Sequence, residues 1–246
     1  MNTLNQRSLL ICASLALAAA SSAITISEAR TLPLGSIVTI NSAYLSGKTA
    51  QLGAPNFTVQ DSRDYFGWQG ALISNVVSGS SFAQFDYAVS ITGTTARING
   101  MFNITDASVG VISTGNERPV PVQVYAHIFR AGMNFSGEQY EGARVAVQQV
   151  SFLESGTFAD GGIYHVTDGS NVLEVKVFAD TPLLGSAIPT GWINLNGAML
   201  QNDMGVGGDA GGYYVVPDSH VAAVPEPASL AALGVGAIAL LRRRRR

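Results

Sequence analysis

Apolar and polar residues alternate with a period of two over much of the chain, which is the signature of half-buried β-strands. In "SFAQFDYAVSI", Phe85, Tyr87, Val89 and Ile91 share one face, and Gln84, Asp86 and Ser90 share the other. In "TARINGMFNIT", Ala96, Ile98, Phe102 and Ile104 alternate with Arg97, Asn99 and Asn103. The intervening "TGT" (Thr92–Thr94) predicts a hairpin turn between the two runs. Further strands are expected over residues 36–42, 57–60, 70–77, 121–129, 143–153, 162–167, 171–179 and 191–200, separated by turn clusters such as "SGSS", "GNERP", "ADGG" and "TDGS". No 12-residue window between residues 24 and 223 holds a helical period. The prediction is an all-β fold: a single β-sandwich or jelly-roll-like domain over residues 24–200, with a barrel as the next choice and no internal repeat.

Composition changes sharply at both ends. Residues 1–23 carry Arg7, an apolar run from Leu9 to Ala20, and small residues Ser21 and Ala23 at the −3 and −1 positions of a cleavage site. This is the layout of a signal peptide removed by signal peptidase. Residues 201–223 are Gly-rich at first and read as a tether, with "YYVV" suited to a closing edge strand. Residues 228–241 form a 14-residue uncharged run. As a helix it is about 21 Å long, a short transmembrane span that arginines at its end can extend by snorkelling.

Charge narrows the partners. Between Ile24 and Ala223 there are eight basic and sixteen acidic residues, a net of about −8, against −3 for the whole chain. A basic footprint for nucleic acid is missing from that stretch. The only cysteine, Cys12, lies in the predicted signal peptide, so disulfides, thiolate metal sites and cysteine nucleophiles are excluded from the mature chain.

The triplet Pro225-Glu226-Pro227, the short apolar run and the terminal cluster Arg242, Arg243, Arg244, Arg245 and Arg246 follow one another over residues 224–246. This arrangement closely resembles the PEP-CTERM sorting tail of Gram-negative bacteria. The resemblance implies recognition by an exosortase near the triplet, with the helix holding the precursor in the inner membrane until the tail is removed. It further implies delivery to the cell envelope or to an exopolysaccharide, biofilm-type extracellular matrix. Many different domains carry such a tail, so it supplies an address and leaves the activity open.

The central residues offer three kinds of candidate chemistry. "DSRDYFGWQG" sets Tyr65, Phe66 and Trp68 among charged residues, and Trp192 is the second tryptophan. Tyr65, Trp68 and Trp192 are candidates for stacking on sugar rings, with burial in the core as the competing use of the same aromatics. Asp203 and Asp209, and separately Asp168 and Asn171, lie on loops with oxygen ligands that suit calcium, although Asx-stabilised turns account for them equally well. Apart from calcium no cofactor is implied. His127 reads as a mid-strand face or core residue, and His165 as part of a turn five residues from Asp160. "DSH" (Asp218–His220) has the letters of a catalytic triad, but neighbours in sequence cannot adopt its geometry. The expected function is therefore a non-enzymatic, glycan-contacting matrix protein. A polysaccharide hydrolase or lyase, and a self-associating structural module, are the alternatives.

Overall fold

The computed structural model describes residues 23–47, 56–62, 69–78, 86–129, 138–179, 181–202 and 212–223. A single helical turn, α1 (Ile26–Ala29), is capped reciprocally by Thr25 and Glu28 and buries Ile26 and Ala29. Five strands follow: β1 (Ile37–Gly47), β2 (Phe57–Gln60), β3 (Gly70–Ile73), β4 (Ala88–Ile98) and β5 (Met101–Ser113). Their order is β1-β2-β3-β5-β4, and β4 pairs back on β1 to close a barrel. All pairs are antiparallel except β3 with β5.

After a short strand β6 (Val122–Val124) the pattern recurs in β7 (Arg144–Phe152), β8 (Gly162–Thr167), β9 (Val172–Val177), β10 (Ile193–Gln201) and β11 (Tyr213–Ala222). The order is β7-β8-β9-β11-β10, β10 pairs with β7, and β9 runs parallel to β11. Each barrel places its fourth strand beside the first by a long connection, the Greek-key arrangement, and both follow the five-stranded plan of the OB-fold.

The repeat extends to residue register. Val38, Ile40 and Ala43 of β1 face Gly93, Ile91 and Val89 of β4. Val145, Val147 and Val150 of β7 face Gly197, Leu195 and Ile193 of β10 in the same way. A bulge interrupts both ladders at the same step, and such a bulge sharpens the local bend that closing a small barrel requires. Gly93 and Gly197 are equivalent too. A Cβ would lie 2.7 Å from Ile104 Cγ2 at Gly93, and 2.6 Å from Val215 Cγ1 at Gly197. Period-two alternation builds both interiors: Val38, Ile40, Phe57, Val59, Ile91 and Ile104 in the first, Val147, Tyr164, Val166, Val175, Leu195 and Val215 in the second.

The barrels pack end to end. Met101, Ala198, Leu200 and Val216 form a separate buried cluster flanked by Leu72, Phe178 and Tyr214. Every residue of β10 from Gly197 to Gln201 is consequently buried, whereas Ile193–Asn196 alternate. The chain between the barrels crosses at Gly142, whose φ is +72° and whose nearest neighbours are the backbone atoms of Ala71. Only glycine fits there. Ser46 Oγ donates to Gly142 O, Gly142 N–H donates to Met199 O at 2.8 Å, and Arg144 N–H donates to Gln60 Oε1 at 2.9 Å.

The all-β class holds, with closed barrels where stacked sheets of a sandwich were expected. Three local readings are corrected. The hairpin turn is not "TGT", which lies inside β4, but Asn99–Gly100, with φ of +51° and +84°. Asn-Gly is the pair that tolerates two left-handed residues, while β-branched Thr92 and Thr94 favour extended chain. The "YYVV" strand within residues 201–223 holds but runs on through Ala222, where a tether was expected, and this β11 is paired on both sides and no edge, with Tyr213, Val215, Val216 and Asp218 buried. His127 is not mid-strand: it sits in a 3-10 turn, Ala126–Phe129, and is exposed. The predicted signal peptide to Ser22 and the tail from Val224 lie outside the described residues, and no helix among those described is long and apolar enough to cross a membrane.

Candidate functional site

A cleft of about 510 Å³ opens at the end of the second barrel from which β11 leaves. That volume lies within the range of small-ligand sites. Two aromatic side chains stand at it half-exposed, Trp192 at 52% and Tyr125 at 51%. Trp192 immediately precedes β10, and its carbonyl accepts from Ala223 N–H at 2.9 Å. Tyr125 directly follows β6, in which Val122 and Val124 are buried and Gln123 exposed, and is itself exposed. The ring of His127 stacks on Tyr125, with centroids 5.9 Å apart and planes 18° from parallel.

Polar residues complete the lining. Gln148 and Gln149 occupy the bulge of β7, and Gln149 adopts φ +51°, uncommon for a residue with a Cβ. Asn194 Oδ1 accepts the Gln149 N–H at 3.0 Å and holds it there. Asp168, Ser170 and Asn171 come from the β8–β9 turn. Asp168 Oδ1 accepts from Ser170 N–H at 2.9 Å and Asn171 N–H at 2.7 Å, and Asn171 Nδ2 donates to Asp168 Oδ2 at 3.0 Å. Burial pushes this carboxyl up, but the hydrogen bonds from Asn171 and Ser170, with a smaller contribution from His127, outweigh it and hold the group below the usual range. Asp168 thus keeps its charge and fixes the turn.

Of the sequence candidates, Trp192, Asp168 and Asn171 meet at this cleft. Tyr65, Trp68, Asp203 and Asp209, with the sorting residues Pro225, Glu226, Pro227 and Arg242–Arg246, lie outside the described residues. Tyr125, Gln148 and Gln149 escaped the sequence reading. The signal for Tyr125 was the period-two pattern of Val122 and Val124; the bulge left none.

The other candidates resolve into structural roles. His165 pairs with Glu154, not Asp160, through Nδ1 and Oε1 at 2.8 Å. Asp218 makes a buried bidentate pair with Arg144 at 2.7 and 2.9 Å, and Ser219 Oγ donates to it at 2.6 Å, which explains "DSH". Asn103 is fully buried, and its Nδ2 donates to Ser74 Oγ at 2.8 Å.

Two carboxylates do converge, at the joint between barrels. Arg30 Nη2 lies 2.9 Å from Glu141 Oε2 and 3.8 Å from Glu138 Oε2, and its Nη1 donates to Gly70 O at 3.0 Å. Phe102 N–H donates to Glu141 Oε2 at 3.2 Å. Desolvation pushes the Glu141 carboxyl up to about 7, with the Glu138 charge adding to it and Arg30 opposing. Glu141 is wholly buried and, through Arg30, ties the two barrels together, while the Glu138 side chain stays 29% exposed.

The fold and cleft define a tandem-barrel protein with an aromatic-walled cleft at the end of its second barrel. Residues 223–246 match the PEP-CTERM protein-sorting motif. The chain therefore carries an exosortase-processed sorting tail, which marks an exported protein of the cell envelope of Gram-negative-type bacteria. No curated protein matches the chain. One solved structure, a murine DNA-binding protein bound to double-stranded DNA, is 12% identical and covers 76% of this chain and 97% of its own. Its TM-score is 0.33, a likeness that carries no argument about binding.

Proposed function

We propose that this is a non-enzymatic protein of the exopolysaccharide matrix that contacts glycan through the Trp192–Tyr125 cleft. The observation that carries the reading is the half-exposed pair Trp192 and Tyr125 beside an amide- and carboxylate-lined cleft of about 510 Å³. Sugar rings present an apolar face that stacks on an aromatic ring and hydroxyls that bond to amides and carboxylates. A folded core has no need of a tryptophan left half in water, whereas a sugar-stacking site does. The acidic body favours an uncharged or amino-bearing glycan over a polyuronate. Calcium is not needed at the β8–β9 turn, because backbone and Asn171 donors already occupy Asp168.

The test is co-sedimentation of protein recovered from the producing bacterium with that bacterium's exopolysaccharide. Trp192→Ala and Tyr125→Ala should each weaken binding roughly five- to thirtyfold, a loss of about 1–2 kcal/mol for one stacking contact. Binding unchanged in both variants overturns the assignment, and turnover of the polymer overturns the non-enzymatic reading.

A further inference from the structure

The aromatic mouth and the sorting tail occupy the same place. Ala223 lines the cleft and is hydrogen-bonded to Trp192, and the tail motif begins at that residue. Five Cα steps separate Ala223 from Ala228, where the apolar run starts, a reach of at most about 18 Å. The first barrel packs at the other end of β10, around Leu200 and Met101. Nine residues of β10 put that end about 26 Å from Ile193. The molecule is thus ordered as first barrel, second barrel, mouth, tail.

We propose that, while the tail is attached, the mouth of the second barrel rests against the phosphocholine-type headgroup layer of the membrane, and that removal of the tail frees it. The occupant follows from the short reach and from the rim. Near the cleft, Val221, paired with Asn194 on the strand that follows Trp192, is 59% exposed, and Val172, next in sequence to the lining residue Asn171, is 59% exposed. Tryptophan and tyrosine flanked by aliphatic residues suit the depth of the headgroups, where one side of the ring is wet and the other apolar. The acidic body selects a zwitterionic surface over an anionic one. A ligand of the cleft, glycan in the reading above, then reaches it only after processing. That corollary rests on the proposed function; the membrane contact does not, so the two can fail separately.

The chain from Ile24 to Arg246, which lacks Cys12 and so holds no native cysteine, carries a single new cysteine at Val221→Cys or Ile37→Cys, is labelled with an environment-sensitive fluorophore and is placed in phosphatidylcholine vesicles. Both positions are exposed, Ile37 at 73%, and Ile37 lies on the distal barrel. Headgroup spin-labelled phosphatidylcholine should quench the fluorophore at 221 at least twofold more than that at 37, and exosortase cleavage should abolish the difference. Equal quenching at the two positions, or failure of the chain to float with the vesicles, overturns the proposal.

Discussion

Replacing Glu141 by glutamine tests the electrostatics of the joint between the barrels. The Glu141 carboxyl is fully buried and reaches Arg30 and the Phe102 N–H through Oε2, while Oε1 has no hydrogen-bond partner among the described residues. Desolvation, helped by Glu138, raises its pKa from 4.5 to about 7. A raised carboxyl binds its proton more tightly in the folded chain. Between pH 4.5 and 7 the unfolded chain therefore holds fewer protons, and stability falls as pH rises. The rise from 4.5 to about 7 amounts to about 3 kcal/mol, fully present below pH 4.5 and lost as pH passes about 7. The Glu141→Gln side chain is neutral throughout and keeps an acceptor for Arg30. Urea midpoints of both proteins at pH 4.5, 6 and 8 report the effect of this buried cluster, because titrating groups that do not interact with Glu141 cancel in the difference. The variant should gain on the parent by about 3 kcal/mol between pH 4.5 and 8, or about 6–12 °C in Tm for a chain of this size. A constant difference, or a parent that gains on the variant as pH rises, would make the Arg30 attraction larger than the desolvation and overturn this assignment.

Asp218→Ala leaves Arg144 buried without its bidentate partner and should cost about 3–5 kcal/mol in urea unfolding. Gly197→Ala drives a Cβ into Val215 and the β11 backbone and should cost at least about 1–3 kcal/mol, with Gly93→Ala behaving alike because the position repeats. Trp192→Ala should change the urea midpoint little, within about 1 kcal/mol, since half of that side chain is already in water. A large loss of stability there would make Trp192 a core residue and remove the basis of the cleft reading.

Strand identity was legible because one face of each strand is buried: Tyr164, Val166, Leu173 and Val175 alternate with His165 and Glu174 as the period demands. Topology was not, because barrel closure depends on pairings between β1 and β4 and between β7 and β10 that leave no local mark. The repeat hid for a related reason. Equivalent positions require only apolar side chains of suitable size, so Ile40 answers Val147 and Phe57 answers Tyr164 with no shared motif. The glycines before β11 suggested a tether and "YYVV" a short edge strand, but its length to Ala222 and its central place depend on pairing with β9 and β10. At the cleft, Trp192 and the Asp168 turn were visible as chemistry, whereas the Gln148–Gln149 bulge exists only through its mismatch with β10. The sorting tail was legible in full because its recognition depends on linear order and not on tertiary contacts.

Whether Trp192 meets glycan decides the functional reading. Fluorescence of a Trp68→Phe protein, in which Trp192 is the remaining indole, reports on that contact during titration with oligosaccharides cut from the producer's matrix. A glycan-stacked Trp192 should give a saturable blue shift of its emission together with protection from acrylamide quenching, as sugar replaces water over the ring. Emission that stays unchanged while the same protein co-sediments with the intact polymer would rule out that contact and place it elsewhere on the molecule.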